Sequence, residues 1–311
     1  MTFFSVIIPL YNKENYIEET IKSVLNQSFN DFEVIIVDDG STDDSLKLAS
    51  QLQNSKITII TQKNQGASVA RNRAINAAKG KYIAPLDADD IWHKNHLSEL
   101  KSLIHSFPNA GLFCNNYEIK LNDNFIIKAN FNFSYDSDHL EIPDFFDANI
   151  INYIPSSSST AFLKSSFIEL GTYNTSLRTG QDLDLWIRFA LKHKVVFNPT
   201  ITMVYNNYDD SSLSKSDYNL DRYNYISNFN AEEQQNPSLK KYLDVNRYAV
   251  ALRCKTNNEK KLYRKLKGEI DCKNLNIKQK LLINTPAFGL KLIKRFQRFL
   301  IDRKIYLTAF K

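Results

Sequence analysis

Three carboxylates crowd four positions of the stretch YIAPLDADDIW: Asp87, Asp89 and Asp90. Like charges that close repel one another unless a cation sits among them. Oxygen ligands on a short, rigid turn suit a hard divalent ion, Mg2+ or Mn2+, which binds through one or two carboxylates plus the phosphates of a substrate. The competing reading is local: Asp90 caps the following helix and Asp87 is a solvated turn residue. Position favours chemistry, because the acids end an apolar run at residues 82–86.

Other polar groups have the same two-sided character. Asp38 and Asp39, followed by Gly40-Ser41, form an ordinary strand-to-helix turn, or a carboxylate accepting hydrogen bonds from a base or ribose. Arg71 lies in an Ala-rich helical pattern after Gly66; it either pairs with a phosphate or sits on a solvated face, with Arg73 an equal candidate. In TGQDLDLWIRF, Asp182 opens a helix and Asp184 follows two residues on, so the two do not share a helical face. Asp182 is either a first-turn acid suited to the helix dipole or a general base aimed into a cleft, and Arg188 is available to pair with one of the acids.

These groups need elements to place them. Residues 4–10, 32–39, 56–61, 81–86 and 110–119 read as buried strands, and helical patterns alternate with them. Residues 41–44 offer a capping box for the helix that follows, and Gly80 a glycine stop for the helix over 67–80. Strand–helix alternation predicts a parallel α/β sheet, which binds ligands outside the carboxyl ends of its strands. Pro9 to Asn12, Asp38 to Ser41 and Asp87 to Asp90 all fall at such ends. Beyond residue 120 the pattern loosens, with 156–159 expected as a loop. A strand and short helix follow over 160–171, a helix over 182–193, then two short strands. After about 215 the chain is helical and basic.

The chain has 311 residues, 43% hydrophobic and 24% charged, in keeping with a globular protein that has a full core. The net charge of +6 favours an anionic partner, and the excess lies mostly after about residue 238. Cys114, Cys254 and Cys272 are too scattered for a metal site or a disulfide framework, which points to a reducing cytoplasm. The N-terminal stretch lacks the basic and apolar regions of a signal peptide, and no apolar run reaches the roughly 18 residues of a membrane span.

The segments SVIIPLYNKENYIEETIKSVLNQSFNDFEVIIVDDGSTDDS, NQGASVARNRAINAAKGKYIAPLDADD and GQDLDLWIRF occur in that order. Over about residues 4–205 they resemble the family 2 glycosyltransferases. The resemblance implies a GT-A catalytic domain over 1–214, an α/β fold with a Rossmann-like nucleotide-binding half and a mixed, mostly parallel sheet. Residues 215–311 would form a helical appendage. It also implies a nucleotide-sugar donor, usually UDP-linked, a divalent Mn2+ or Mg2+, inversion at the anomeric carbon, and a glycan or lipid-linked acceptor. By position, Pro9, Tyr11 and Asp39, with Asp38 beside them, match residues that hold base and ribose. Arg71 matches a position near the nucleotide. Asp87 and Asp89 match the Asp-x-Asp that touches ribose and metal; Asp90 extends it as a metal ligand, and either it or Asp89 is the closer one. Asp182 matches the catalytic base.

Two departures stand out. Gln181 replaces the usual Glu before the base, and Tyr208 stands where the family often carries a His near the metal. No Gln-x-x-Arg-Trp is present, which points to addition of a single sugar. Residues 286–311 could form a basic helix with Phe288, Leu292, Phe296, Phe299 and Leu300 towards one side. That helix would offer a peripheral contact with the cytoplasmic membrane face, a packing face on the catalytic domain, or a subunit interface. The alternative to an enzyme is a non-catalytic nucleotide-sugar-binding protein. A phospho-acceptor domain would carry its acidic pair after the first strand, and nucleic-acid binding rests on net charge alone.

Overall fold

The computed structural model describes residues 2–52, 54–208 and 212–310. The chain divides into two compact units. The first comprises Met1–Lys120, Tyr135–Pro143 and Ile154–Asn206; the second comprises Leu121–Ser134, Asp144–Tyr153 and Asn207–Lys311. The division therefore falls near residue 206, and two short segments from the first half join the second unit. Their aromatic side chains find partners there: Phe146 packs 5.8 Å from Tyr242.

The first unit is built on a mixed sheet. Its strands are β1 (Phe4–Leu10), β2 (Phe32–Asp38), β3 (Ile57–Thr61), β4 (Tyr82–Pro85), β5 (Ile91–Trp92) and β6 (Leu112–Asn122). β7 (Phe125–Lys128) follows β6 and belongs to the second unit; β8 (Leu140–Glu141), β9 (Thr160–Leu163) and β10 (Val195–Asn206) complete the first. The spatial order is β3-β2-β1-β4-β9-β6-β10-β5, with β8 also on β10. β1 pairs in parallel with β2 and β4, and β2 with β3. β9 is antiparallel to both its neighbours, so the sheet is mixed and mostly parallel, as expected. The two short strands expected at 195–206 are one strand whose register slips between Asn198 and Ile201, beside Pro199, which has no N–H for the ladder.

Parallel strands covered on both faces must be apolar throughout. Val6, Ile7, Ile8, Val34, Ile36 and Val37 are accordingly fully buried. Each such side chain contributes roughly 1.5–3 kcal/mol. The helices that cover them are α1 (Ile17–Leu25), α2 (Ser45–Gln51), α3 (Ala67–Ala77) and α4 (His96–Ser106). After α5 (Phe145–Ala148), in the second unit, come α6 (Lys164–Glu169) and α7 (Gln181–Lys192). Two local expectations fail. No capping box forms before α2; instead Asp43 accepts from the Ser45 N–H. α3 ends at Ala77, and Gly80 serves close packing instead of a helix stop, since a Cβ there would meet the Ser5 N at 2.6 Å.

The second unit is helical: α8 (Asn219–Ser227), α9 (Pro237–Thr256), α10 (Lys260–Glu269), α11 (Ile277–Asn284) and α12 (Ala287–Ile301). α9 is its axis, touching α5, α8, α10, α11 and α12. Arg247, buried in α9, is matched by Glu233 at 2.8 and 2.9 Å and Asp244 at 3.0 Å, as a buried guanidinium requires. No helix among the described residues is long and apolar enough to cross a membrane.

Candidate active site

The carboxyl ends of β1, β2 and β4 meet at one edge of the first unit. Leu10 lies beside Asp38, and Ile7 beside Pro85. The loops that leave these ends are stitched together. Asn12, with a left-handed φ of 50°, accepts from the Thr42 N–H at 2.8 Å, and its own N–H donates to Ser41 Oγ at 3.1 Å. Pro9 is half-buried in β1, and Tyr11 is exposed at the rim.

Asp38 and Asp39 are both buried and hold the loops in shape. Asp38 accepts from the Gly40 and Ser41 N–H groups. Asp39 accepts from Gln62 Nε2 at 2.7 Å and from the N–H groups of Gln65 and Gly66 at 2.8 Å. Gly40 is the residue the turn demands: its φ is 74°, and a Cβ would lie 3.0 Å from the Asn64 N.

The acidic turn divides its three carboxylates. Asp87 Oδ1 pairs with Arg71 Nη2 at 2.5 Å, and Asp89 Oδ2 with Lys13 Nζ at 2.7 Å. Asp90 is fully buried. Its Oδ2 accepts from the Ser158 hydroxyl at 2.6 Å and its Oδ1 from the Asn206 N–H at 2.8 Å. Burial, with Asp89 and Asp87 nearby, holds its carboxyl well above the usual range. Through these bonds Asp90 anchors the turn to the 156–159 segment and to the end of β10. Ser158 also accepts from the Asp87 N–H at 3.0 Å. The 156–159 segment, expected as a loop, carries a buried one-turn 3-10 helix at Ser157–Ser159.

Arg71, not Arg73, belongs to the site. Arg73 is exposed and donates to the Thr61 carbonyl. Arg71 is buried, and its Nη1 lies 3.7 Å from Asp182 Oδ1. Burial works to lower its pKa, but Asp182 and Asp87 more than reverse that, so it stays charged. The buried Tyr173 ring lies 5.5 Å from the guanidinium. Arg71 Nε and Nη1, Asp182 Oδ1 and Tyr173 OH are buried without a protein hydrogen-bond partner. Orphaned polar atoms gathered in this way suit a polar ligand.

Asp182 opens α7, where Gly180, at φ 80°, makes the left-handed entry. Burial raises its pKa most, Arg71 lowers it, Asp87 raises it and a hydrogen bond from Ser157 lowers it; the net is upward. Asp184 is different. It pairs with Arg188 at 2.7 and 3.0 Å, while Arg188 also donates to the carbonyls of Leu170 and Thr172. Asp184 therefore fixes α7, and Asp182 is the acid left facing Arg71. Gln181 is buried with Oε1 unpartnered. Tyr208 is exposed and belongs to the second unit; its downstream neighbours 209–211 lie outside the described residues.

The donor set fits a divalent ion. Asp87 and Asp89 supply hard oxygens on one turn, and Mg2+ or Mn2+ needs only one or two carboxylates when phosphates complete its shell. Among the described residues no three His, Cys, Asp or Glu side chains converge on a metal position. Lys13, Ser157, Ser158 and Tyr173 are the site residues that sequence reasoning did not single out.

The sequence profile of glycosyl transferase family 2 matches residues 5–171. The chain belongs to that family. A glycosyltransferase of Rickettsia felis is 36% identical over 200 residues, covering 62% of this chain and 31% of that protein. WfaP of Escherichia coli, a UDP-Glc:alpha-D-GlcNAc-diphosphoundecaprenol beta-1,3-glucosyltransferase, is 38% identical over 116 residues, 35% of this chain and 46% of that protein. This family 2 chain spans about a third of the length of the curated relatives it matches first. Among solved structures, S. aureus TarS 1-349 in complex with UDP-GlcNAc superposes with a TM-score of 0.69 at 18% identity, covering 86% of this chain and 80% of that one. The likeness shows the GT-A fold.

Proposed function

We propose that the chain is an inverting, metal-dependent glycosyltransferase. It moves one sugar from a nucleotide sugar, UDP-linked, to a hydroxyl of a glycan or lipid-linked acceptor in cell-surface polysaccharide biosynthesis. The observation that carries this reading is Arg71, a buried cation 2.5 Å from Asp87 and 3.7 Å from Asp182. It ties the turn suited to a diphosphate to the candidate base within one charged constellation.

The rim formed by Pro9, Tyr11, Asp38 and Asp39 receives the base and ribose. Asp87 and Asp89 would hold Mn2+ or Mg2+, which when bound would supply positive charge to the diphosphate. Arg71 adds fixed positive charge, with hydrogen-bond capacity at Nε and Nη1. Asp182 accepts the proton of the acceptor hydroxyl as that oxygen attacks the anomeric carbon and the nucleotide leaves. Burial holds its pKa above that of an ordinary aspartate, which makes it a better proton acceptor when ionised. WfaP and TarS, with their UDP-linked sugars, support the donor class. The mannosyltransferase PcManGT from Pyrobaculum calidifontis, solved with GDP-Man and Mn2+, supports the metal and superposes with a TM-score of 0.57 at 16% identity.

The test is a thermal-shift and UDP-release screen of nucleotide sugars with and without Mn2+. Stabilisation by a UDP-sugar with Mn2+, and UDP release abolished by Asp89→Ala, is the expected result. Stabilisation with no UDP released, in the presence of any glycan acceptor, would establish a binding protein instead.

A further inference from the structure

The second unit carries a helix that is covered on one side only. α12 rests against α9. Leu290 is buried there, with Gln297 and Ile301 half-buried. At about 100° per residue these three fall within about 40° of one another. The opposite side carries Phe288, Leu292, Phe296 and Phe299, which are 74%, 46%, 58% and 46% exposed. Their spacing, i, i+4, i+8 and i+11, makes one continuous strip. The Phe296 and Phe299 rings stack at 6.2 Å, so the strip is organised as well as apolar.

The strip is bordered on one side by the exposed Lys291, Arg295 and Arg298, and α12 contains no acidic residue. Just past the helix the Arg303 guanidinium sits 3.6 Å from the Phe299 ring centre. The basic border continues into the unit. Lys294 is held below the usual lysine range by burial and by Arg298, Arg253 and Lys215, only partly offset by Asp217. Positive charge is thus concentrated where apolar rings are exposed.

We propose that α12 lies in the surface of an anionic membrane. Phe288, Leu292, Phe296 and Phe299 enter the acyl boundary, and Lys291, Arg295 and Arg298 meet lipid phosphates. The helix, 15 residues or about 22 Å long, is too short to span a bilayer core of about 30 Å, so it lies in the plane. Charge decides against a second copy of the chain as the occupant: two such helices face to face would bring six cations together with no acid on either α12 to pair them. This inference rests on the second unit alone and is independent of the donor site.

The test is sedimentation of the full chain with vesicles, at about 0.1 M salt. Vesicles of phosphatidylglycerol mixed with phosphatidylcholine should carry the protein down, and pure phosphatidylcholine at least about tenfold less. The double variant Phe288→Ser, Phe296→Ser should lose binding about tenfold or more. Lys291→Glu with Arg295→Glu should erase the preference for the anionic vesicles. Unchanged far-UV circular dichroism checks that the variants fold. Wild-type protein that stays in the supernatant, or binding untouched by either double variant, overturns the proposal. So does a dimer in light scattering that Phe296→Ser splits, since that gives the strip to a second copy.

Discussion

Lys13 Nζ lies 2.7 Å from Asp89 Oδ2, with both side chains largely withdrawn from solvent. The ammonium and a divalent ion therefore compete for the same carboxylate. Lys13→Met should raise the affinity of the nucleotide-free protein for Mn2+ by up to about fivefold, the upper end for a single ion pair near the surface. Isothermal titration with MnCl2 measures it. Weaker or unchanged Mn2+ binding would remove the competition.

Asp182→Asn keeps the size of the side chain and removes its basicity. Nucleotide binding should persist while transfer falls about 10²- to 10⁴-fold, the usual contribution of a general base. Titration with UDP beside a turnover assay separates the two effects. A variant that transfers normally would exclude Asp182 as the base.

Arg71 lowers the pKa of Asp182, against burial and Asp87. Replacing it with Met takes that influence away, so the base holds its proton to higher pH. The acid limb of the kcat profile should move upward in pH, and nucleotide binding should weaken. Arg71→Lys restores charge without the planar fork and should restore the position of the acid limb better than it restores binding. An acid limb that does not move in Arg71→Met separates Arg71 from the base.

His96 supplies a pH dependence of stability. It is fully buried, bonded to Thr202 Oγ1 at 2.7 Å and stacked on Trp92 at 4.1 Å. Burial pushes its pKa down from 6.5 to about 3. The unfolded chain takes up the proton first, so stability is intact above pH 6.5 and is lost as pH falls towards 3. The loss should reach about 1.4 kcal/mol at pH 5.5. Urea unfolding at pH 7.5 and 5.5 should show a smaller difference in His96→Gln than in wild type. Equal differences would assign the acid sensitivity to other groups.

The architecture was legible because periodicity reports burial. Strands such as FSVIIPL and FEVIIVD are apolar on both faces only when helices cover both, and the polar groups after them then had to share one edge. The division of labour within the acidic turn was not legible. Asp87, Asp89 and Asp90 differ in environment, not in type: Asp90 is turned inward by Ser158 and Asn206, which arrive from 68 and 116 residues away. Such distant partners leave no trace in local spacing. Arg71 and Arg73 were indistinguishable for the same reason, since only the packed helix shows which one is buried. The run of serines at 156–159 read as a loop because its hydroxyls look solvated until the acids they serve are in place.

That serine turn has a consequence for how the chain tolerates change. Ser158 grips the Asp87 N–H and the Asp90 carboxyl, and its neighbour Ser157 lies close enough to Asp182 to pull its pKa down. The proposed donor side and the proposed base thus take their alignment from adjacent residues, as two instruments bolted to one bracket. Inserting a single residue at 157–158 would shift both together, whereas lengthening the exposed turn at 123–124 touches neither.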